Sequence, residues 1–119
     1  MLRALYVYMK IRYVKKLENE AAHMTVGKEY IVICIEADKY RIINDFDDPC
    51  LYEPVQCEVI DSIEPSFWIS ELGEDGERYA YPHEWNKIGF FEDYHDRVQL
   101  VVDQFWQDCK RLYDITSNV

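Results

Sequence analysis

Residues 28–37 read Lys-Glu-Tyr-Ile-Val-Ile-Cys-Ile-Glu-Ala, and the run Ile31, Val32, Ile33, Cys34, Ile35 is apolar at every position. A half-buried strand would alternate, whereas a strand covered on both faces shows an unbroken β-branched run. Lys28–Ala37 is therefore expected to be a central strand with these five residues in the core. Asp38-Lys39 then reads as a tight turn into Tyr40-Arg41-Ile42-Ile43-Asn44, the second arm of a hairpin. Upstream, Val7, Met9, Ile11 and Tyr13 alternate with Tyr6, Tyr8, Lys10 and Arg12, the period-2 pattern of a strand with one buried face. The polar segment from Leu17 to Gly27 is expected to be a loop between the two.

Downstream, Asp45-Phe46-Asp47-Asp48-Pro49-Cys50 is a turn cluster, with Pro49 expected outside any ladder. Residues 57–63 and 66–72 read as short strands separated by Glu64-Pro65, and Gly73-Glu74-Asp75-Gly76 as a hairpin tip before a strand over 77–81. Short strands at close spacing predict a small bent antiparallel β-sheet or an SH3-like partial barrel. The end of the chain changes period. Val98, Val101, Val102, Phe105, Cys109, Leu112 and Tyr113 recur at helical spacing, and Asp96 with Gln99 has the form of a capping box. The expected fold is α+β: one domain over 1–119, β-rich over 1–81, a short helical junction over 82–95, and a C-terminal amphipathic helix from about 96 to 113. In the junction, Gly89-Phe90-Phe91-Glu92-Asp93-Tyr94-His95-Asp96, the two phenylalanines are expected beneath the helix and Tyr94 at a partly exposed position.

With 119 residues and 49% hydrophobic content the chain can bury one real core. No stretch approaches the roughly 18 to 20 apolar residues that span a bilayer, and the start lacks the pattern of a signal peptide. A cytoplasmic protein without membrane contact is expected. Cys34, Cys50, Cys57 and Cys109 lie far apart and are expected as free thiols. The formal net charge is -10. The excess is confined to residues 36–96, where four basic and seventeen acidic side chains give -13. Such a field repels nucleic acid and anionic membranes and attracts a basic protein.

Motifs for chemistry are sparse. His23, His83 and His95 fall in different segments, and Lys87 stands where a zincin helix would carry its second histidine, so no metal ligands are expected. The carboxylate pairs Glu92-Asp93 and Asp47-Asp48 are of a kind common on solvated faces. No phosphate-binding glycine loop or nucleophile elbow occurs, so neither a cofactor nor a catalytic residue is expected. Carboxylates and aromatics instead crowd together between Phe67 and Asp96. Trp and Tyr anchor interfaces and carboxylates select the partner's charge. The partner-binding candidates are Trp68, Glu71, Glu74, Asp75, Glu77, Tyr79, Glu84, Trp85, Glu92, Asp93 and Tyr94.

The run from Met24 to Asp61, followed by Pro65 to Trp68, Pro82 to Trp85 and the GFFEDYHD octapeptide, resembles a family of small uncharacterised bacterial proteins. Their pattern is LTVGKxYxVLxIE, then RIIxDD, then an ending of GFWERYxDGD or GFFEDYxDGD. Some of them resemble immunity proteins encoded beside polymorphic toxins, including contact-dependent growth inhibition systems. Here Met24 replaces the usual leucine, and the segment after Asp96 departs from the usual Gly-Asp-Pro. The resemblance implies no enzymatic activity. Together with the charge it leads to the expectation of an acidic immunity protein that neutralises a cognate basic toxin, a nuclease being the expected class. A nucleic-acid mimic that occupies a DNA-binding protein is one alternative. A small enzyme with a site assembled from scattered Asp, Glu and His residues is the other.

Overall fold

The computed structural model describes residues 7–117. In chain order the strands are β1 (Lys10–Tyr13), β2 (Glu29–Ile31), β3 (Cys34–Glu36), β4 (Lys39–Ile43), β5 (Pro49–Tyr52), β6 (Cys57–Asp61), β7 (Trp68–Leu72) and β8 (Arg78–Pro82). Two helices follow, α1 (Phe90–His95) and α2 (Gln99–Tyr113). The strands form a three-stranded sheet of order β2-β1-β6 and a five-stranded sheet of order β5-β4-β3-β8-β7. All pairings are antiparallel, as the expected α+β class requires.

The expected central strand is two strands. Val32 donates its N–H to the Met9 carbonyl at 2.9 Å beside the first sheet, and Ile33 donates to the Arg41 carbonyl at 2.9 Å beside the second. The chain thus changes sheets at this dipeptide, and both residues are fully buried. Corners of this kind bend one sheet into the next. Val32 joins a core with Met9, Ile11, Tyr13, Tyr30, Ile42 and Tyr52, while Ile33 joins another with Trp85, Phe90, Tyr94, Phe105 and Tyr113. A crossing strand is covered on both faces, so its apolar run matches that of a continuous central strand.

The hairpin forms one residue earlier than expected, since Lys39 already pairs with Glu36. Its two loop residues, Ala37 and Asp38, have φ of 49° and 67°, the left-handed pair that suits the right-handed twist of the strands. Pro49, expected outside any ladder, opens β5 opposite Ile43. β5 is an edge strand, and the first residue of an edge strand tolerates a missing N–H. β1 is shorter than the alternation predicts. Met9, Ile11 and Tyr13 are buried as expected, Val7 is exposed, and Tyr6 lies outside the described residues.

Asp96 is not the N-cap of the long helix. It closes α1, its N–H donating to the Glu92 carbonyl at 2.9 Å. Arg97 then takes a left-handed φ of 64°, and α2 starts with Val98 as N-cap, without a side-chain cap. The junction is itself helical up to His95, so Asp96 is used in ending one helix before the next can begin. Phe91 lies against Phe105 of α2 and Phe90 is buried in the same cluster, as expected of residues beneath the helix. Phe105 is fully buried, and its loss would cost roughly 3–5 kcal/mol. Among the described residues no helix is long and apolar enough to cross a membrane.

Candidate functional site

Glu71 on β7 stands opposite Tyr79 on β8, and Ile69 stands opposite Tyr81. Side chains two apart share a face of the sheet, so these four project together. Facing them are the 85–89 loop and α1, set in place by a short 3₁₀ turn at His83–Trp85 and by Gly89, whose φ of 76° turns the chain into the helix. Between the hairpin and the helix lies a groove of about 780 Å³.

Tyr79, Tyr81, Trp85, Phe90 and Phe91 give the groove an aromatic lining, and Ile88 and Leu72 lie at its edges. Ile88 is fully exposed and Leu72 is 72% exposed, unusual positions for large apolar side chains. Glu36, Glu71, Glu92 and Asp96 also line it, against the cations Arg41 and Lys87. Arg41 is already neutralised. Its guanidinium pairs with Glu36, donates to the Pro49 carbonyl at 2.8 Å and lies 3.9 Å from the centre of the Phe91 ring. The side chain is nearly buried, and its Nε has no hydrogen-bond partner. The open face of the groove therefore carries a net negative charge over an apolar floor. Burial, followed by the neighbouring Glu71 carboxylate, raises the Tyr81 phenol above its ordinary value.

The expected partner-binding residues separate into four groups. Glu71, Tyr79 and Glu92 line the groove with accessible surface. Glu74 and Asp75 are exposed at the β7–β8 tip, Glu77 is half-buried there, and Asp93 is exposed on α1. Trp68, Trp85 and Tyr94 are core residues, which corrects their assignment as surface anchors. Trp68 is 9% exposed and donates its Nε1 hydrogen to the Tyr113 hydroxyl at 2.8 Å. Trp85 is 4% exposed and donates to Asp108 at 3.0 Å, so it supports the groove from below. Tyr94 is 9% exposed and its hydroxyl accepts from Trp106 Nε1 at 3.0 Å. Their polar edges are satisfied inside the protein, which is how large amphipathic rings come to be buried. Glu84 is held by Arg111 and by His83 Nδ1 at 3.0 Å. Burial, the largest single influence, raises its carboxyl, but the Arg111 hydrogen bond, a backbone hydrogen bond and the charges of His83 and Arg111 together outweigh it and leave the group below the ordinary range.

Two features escaped the sequence reading. Ile88 and Leu72 carry no pattern that marks an exposed anchor; Leu72 even shares the alternation of buried Trp68 and fails to be covered because the sheet ends there. The second is a convergence of donors. Asp48, Cys50 and His95 each place a ligand-type atom within 4.8 Å of the other two, although 47 residues separate Asp48 from His95. Burial, with Asp48 next to it, pushes the Cys50 thiol up to about 12. At neutral pH that sulfur is a protonated thiol, without the thiolate character of an activated nucleophile.

No protein-family model, curated protein or solved structure matches the chain.

Proposed function

We propose that the chain is an acidic immunity protein that binds and neutralises a cognate toxin domain with a basic surface, a nuclease being the favoured class. The observation that supports this reading best is the groove between the β7–β8 hairpin and α1. It combines exposed apolar edges at Ile88 and Leu72, a half-buried aromatic floor, and carboxylates not already consumed by internal ion pairs. Apolar anchors surrounded by like charges suit a partner of opposite charge, because the charges speed encounter and the anchors slow dissociation. Nucleases are basic because they must hold a phosphate backbone, which matches the -13 of residues 36–96. Acting by occupation, such a protein needs no catalytic group of its own.

The test is co-expression. Host cells producing the proposed cognate toxin domain are expected to survive when the chain is present and to die when it is absent. Protection that persists after Ile88→Asp with Glu71→Lys, in a protein that still melts cooperatively, would place the interface elsewhere. Failure of the unaltered chain to protect would end the immunity reading.

A further inference from the structure

Asp48 sits in the turn between β4 and β5, Cys50 is the second residue of β5, and His95 is the last residue of α1. His95 Nε2 lies 2.9 Å from Asp48 Oδ1. One buried residue organises the first two. Asn44, 4% exposed, accepts the N–H of Asp48 at 3.1 Å through its side-chain oxygen, and its amide nitrogen lies 3.7 Å from Cys50 Sγ. The same amide also donates to the Tyr52 hydroxyl at 3.2 Å, so the asparagine is fixed from both ends.

We propose that Asp48, Cys50 and His95 form a zinc site, with the fourth coordination position open to water. The donor set is the first reason. One thiolate, one imidazole and one carboxylate suit a borderline-soft ion that accepts sulfur, nitrogen and oxygen together. Spacing is the second. Tetrahedral bonds of about 2.0 to 2.3 Å place ligand atoms roughly 3.3 to 3.6 Å apart, and the three observed donors already lie within 4.8 Å of one another. His95 and Asp48 need only separate by a few tenths of an ångström as the ion takes the place of their hydrogen bond.

The third reason is the outer shell. An amide N–H aimed at the sulfur and an ordered turn around the carboxylate are the supports that orient metal ligands and tune their basicity. Accessibility is the fourth: the side chains of Asp48 and His95 are 43% and 42% exposed, which leaves an entry path and room for water. On binding, the Cys50 S–H bond breaks, its electron pair goes to zinc and its proton to solvent. The bound ion would tie α1, one wall of the groove, to the β4–β5 turn. This site stands independently of the immunity reading.

The test uses the full chain, untagged and stripped by chelator. Zinc titrated against a chromophoric chelator is expected to bind one per chain, and cobalt(II) to give a sulfur-to-metal charge-transfer band. Cys50→Ser is expected to abolish the band, and His95→Gln to weaken zinc by more than the about 10- to 100-fold that loss of an outer-shell partner costs. His83→Ala, remote from the cluster, is expected to change nothing. If Cys50→Ser fails to melt cooperatively, His95→Gln, whose side chain is exposed, decides the matter alone. No stoichiometric uptake by the unaltered chain, or uptake that His95→Gln leaves intact, overturns the site.

Discussion

Tyr113, the last residue of α2, donates its hydroxyl hydrogen to the carbonyl of Ile33 at 2.6 Å, across 80 residues of chain. The same hydroxyl accepts from Trp68 Nε1 at 2.8 Å. One oxygen thus joins the C-terminal helix to the point where the chain changes sheets and to the start of β7. Removing it by Tyr113→Phe leaves two buried polar groups without partners, each costing about 1–3 kcal/mol. The denaturant midpoint is expected to fall accordingly with an unchanged slope. A midpoint equal to the parent's would show that this junction does not carry stability.

Ile33→Asp places a carboxylate at a fully buried position between the sheets. An unpaired buried charge costs about 3–5 kcal/mol, a large share of the roughly 5–15 kcal/mol that holds a domain together. The variant is expected to lose its cooperative melt. A sharp transition near that of the parent chain would contradict the crossing of sheets at Val32-Ile33.

The end of α1 makes a milder prediction. Asp96 contributes its backbone N–H to closing α1, and its side chain caps nothing. Asp96→Ala is therefore expected to change stability by no more than about 0.5 kcal/mol, the range of ordinary surface substitutions. A loss near 1 kcal/mol by chemical denaturation, the cost of a deleted N-cap, would restore the capping role.

Glu64 supplies a pH-dependent contribution. Both its oxygens accept from Arg78, at 2.7 and 2.8 Å. That hydrogen bonding, against a smaller opposing effect of burial, lowers the carboxyl from its ordinary 4.5. A depressed carboxyl stabilises the fold at pH above its unfolded value, and the benefit disappears as pH falls through the folded value. Arg78 and Glu64 are 39% and 28% exposed, so solvent screening limits the effect to at most about 1 kcal/mol. Melts of Glu64→Gln are expected to run below the parent at neutral pH and to converge with it in acid. Parallel curves across the neutral and acidic range would show that the pair carries no stability.

Hydrophobic periodicity made much of this fold legible, because burial imposes a repeat on each element. Met9, Ile11 and Tyr13 alternate into a core, and Phe105, Cys109 and Tyr113 follow one helical stripe. What stayed hidden depends on coverage by distant segments. Val32 and Ile33 read as a single strand because a corner and a centre are equally enclosed. Trp68, Trp85 and Tyr94 read as surface anchors because the partners of their polar atoms, Tyr113, Asp108 and Trp106, come from α2. The acidic character of the site was readable from Glu71 and Glu92. Its exposed edges, and the meeting of Asp48 with His95, exist only after folding.

The central claim is that the groove between the β7–β8 hairpin and α1 receives a basic protein. Its most direct test is a calorimetric titration of the proposed cognate basic toxin domain against the parent chain and the Glu71→Lys/Glu92→Lys variant, with thermal melts in parallel. Both substituted side chains are exposed, so folding is expected to survive. Affinity is expected to fall at least about tenfold, or 1.4 kcal/mol, and the difference to narrow as salt screens the charges. Parent affinity in a variant with both charges reversed and an unaltered melt would contradict the claim.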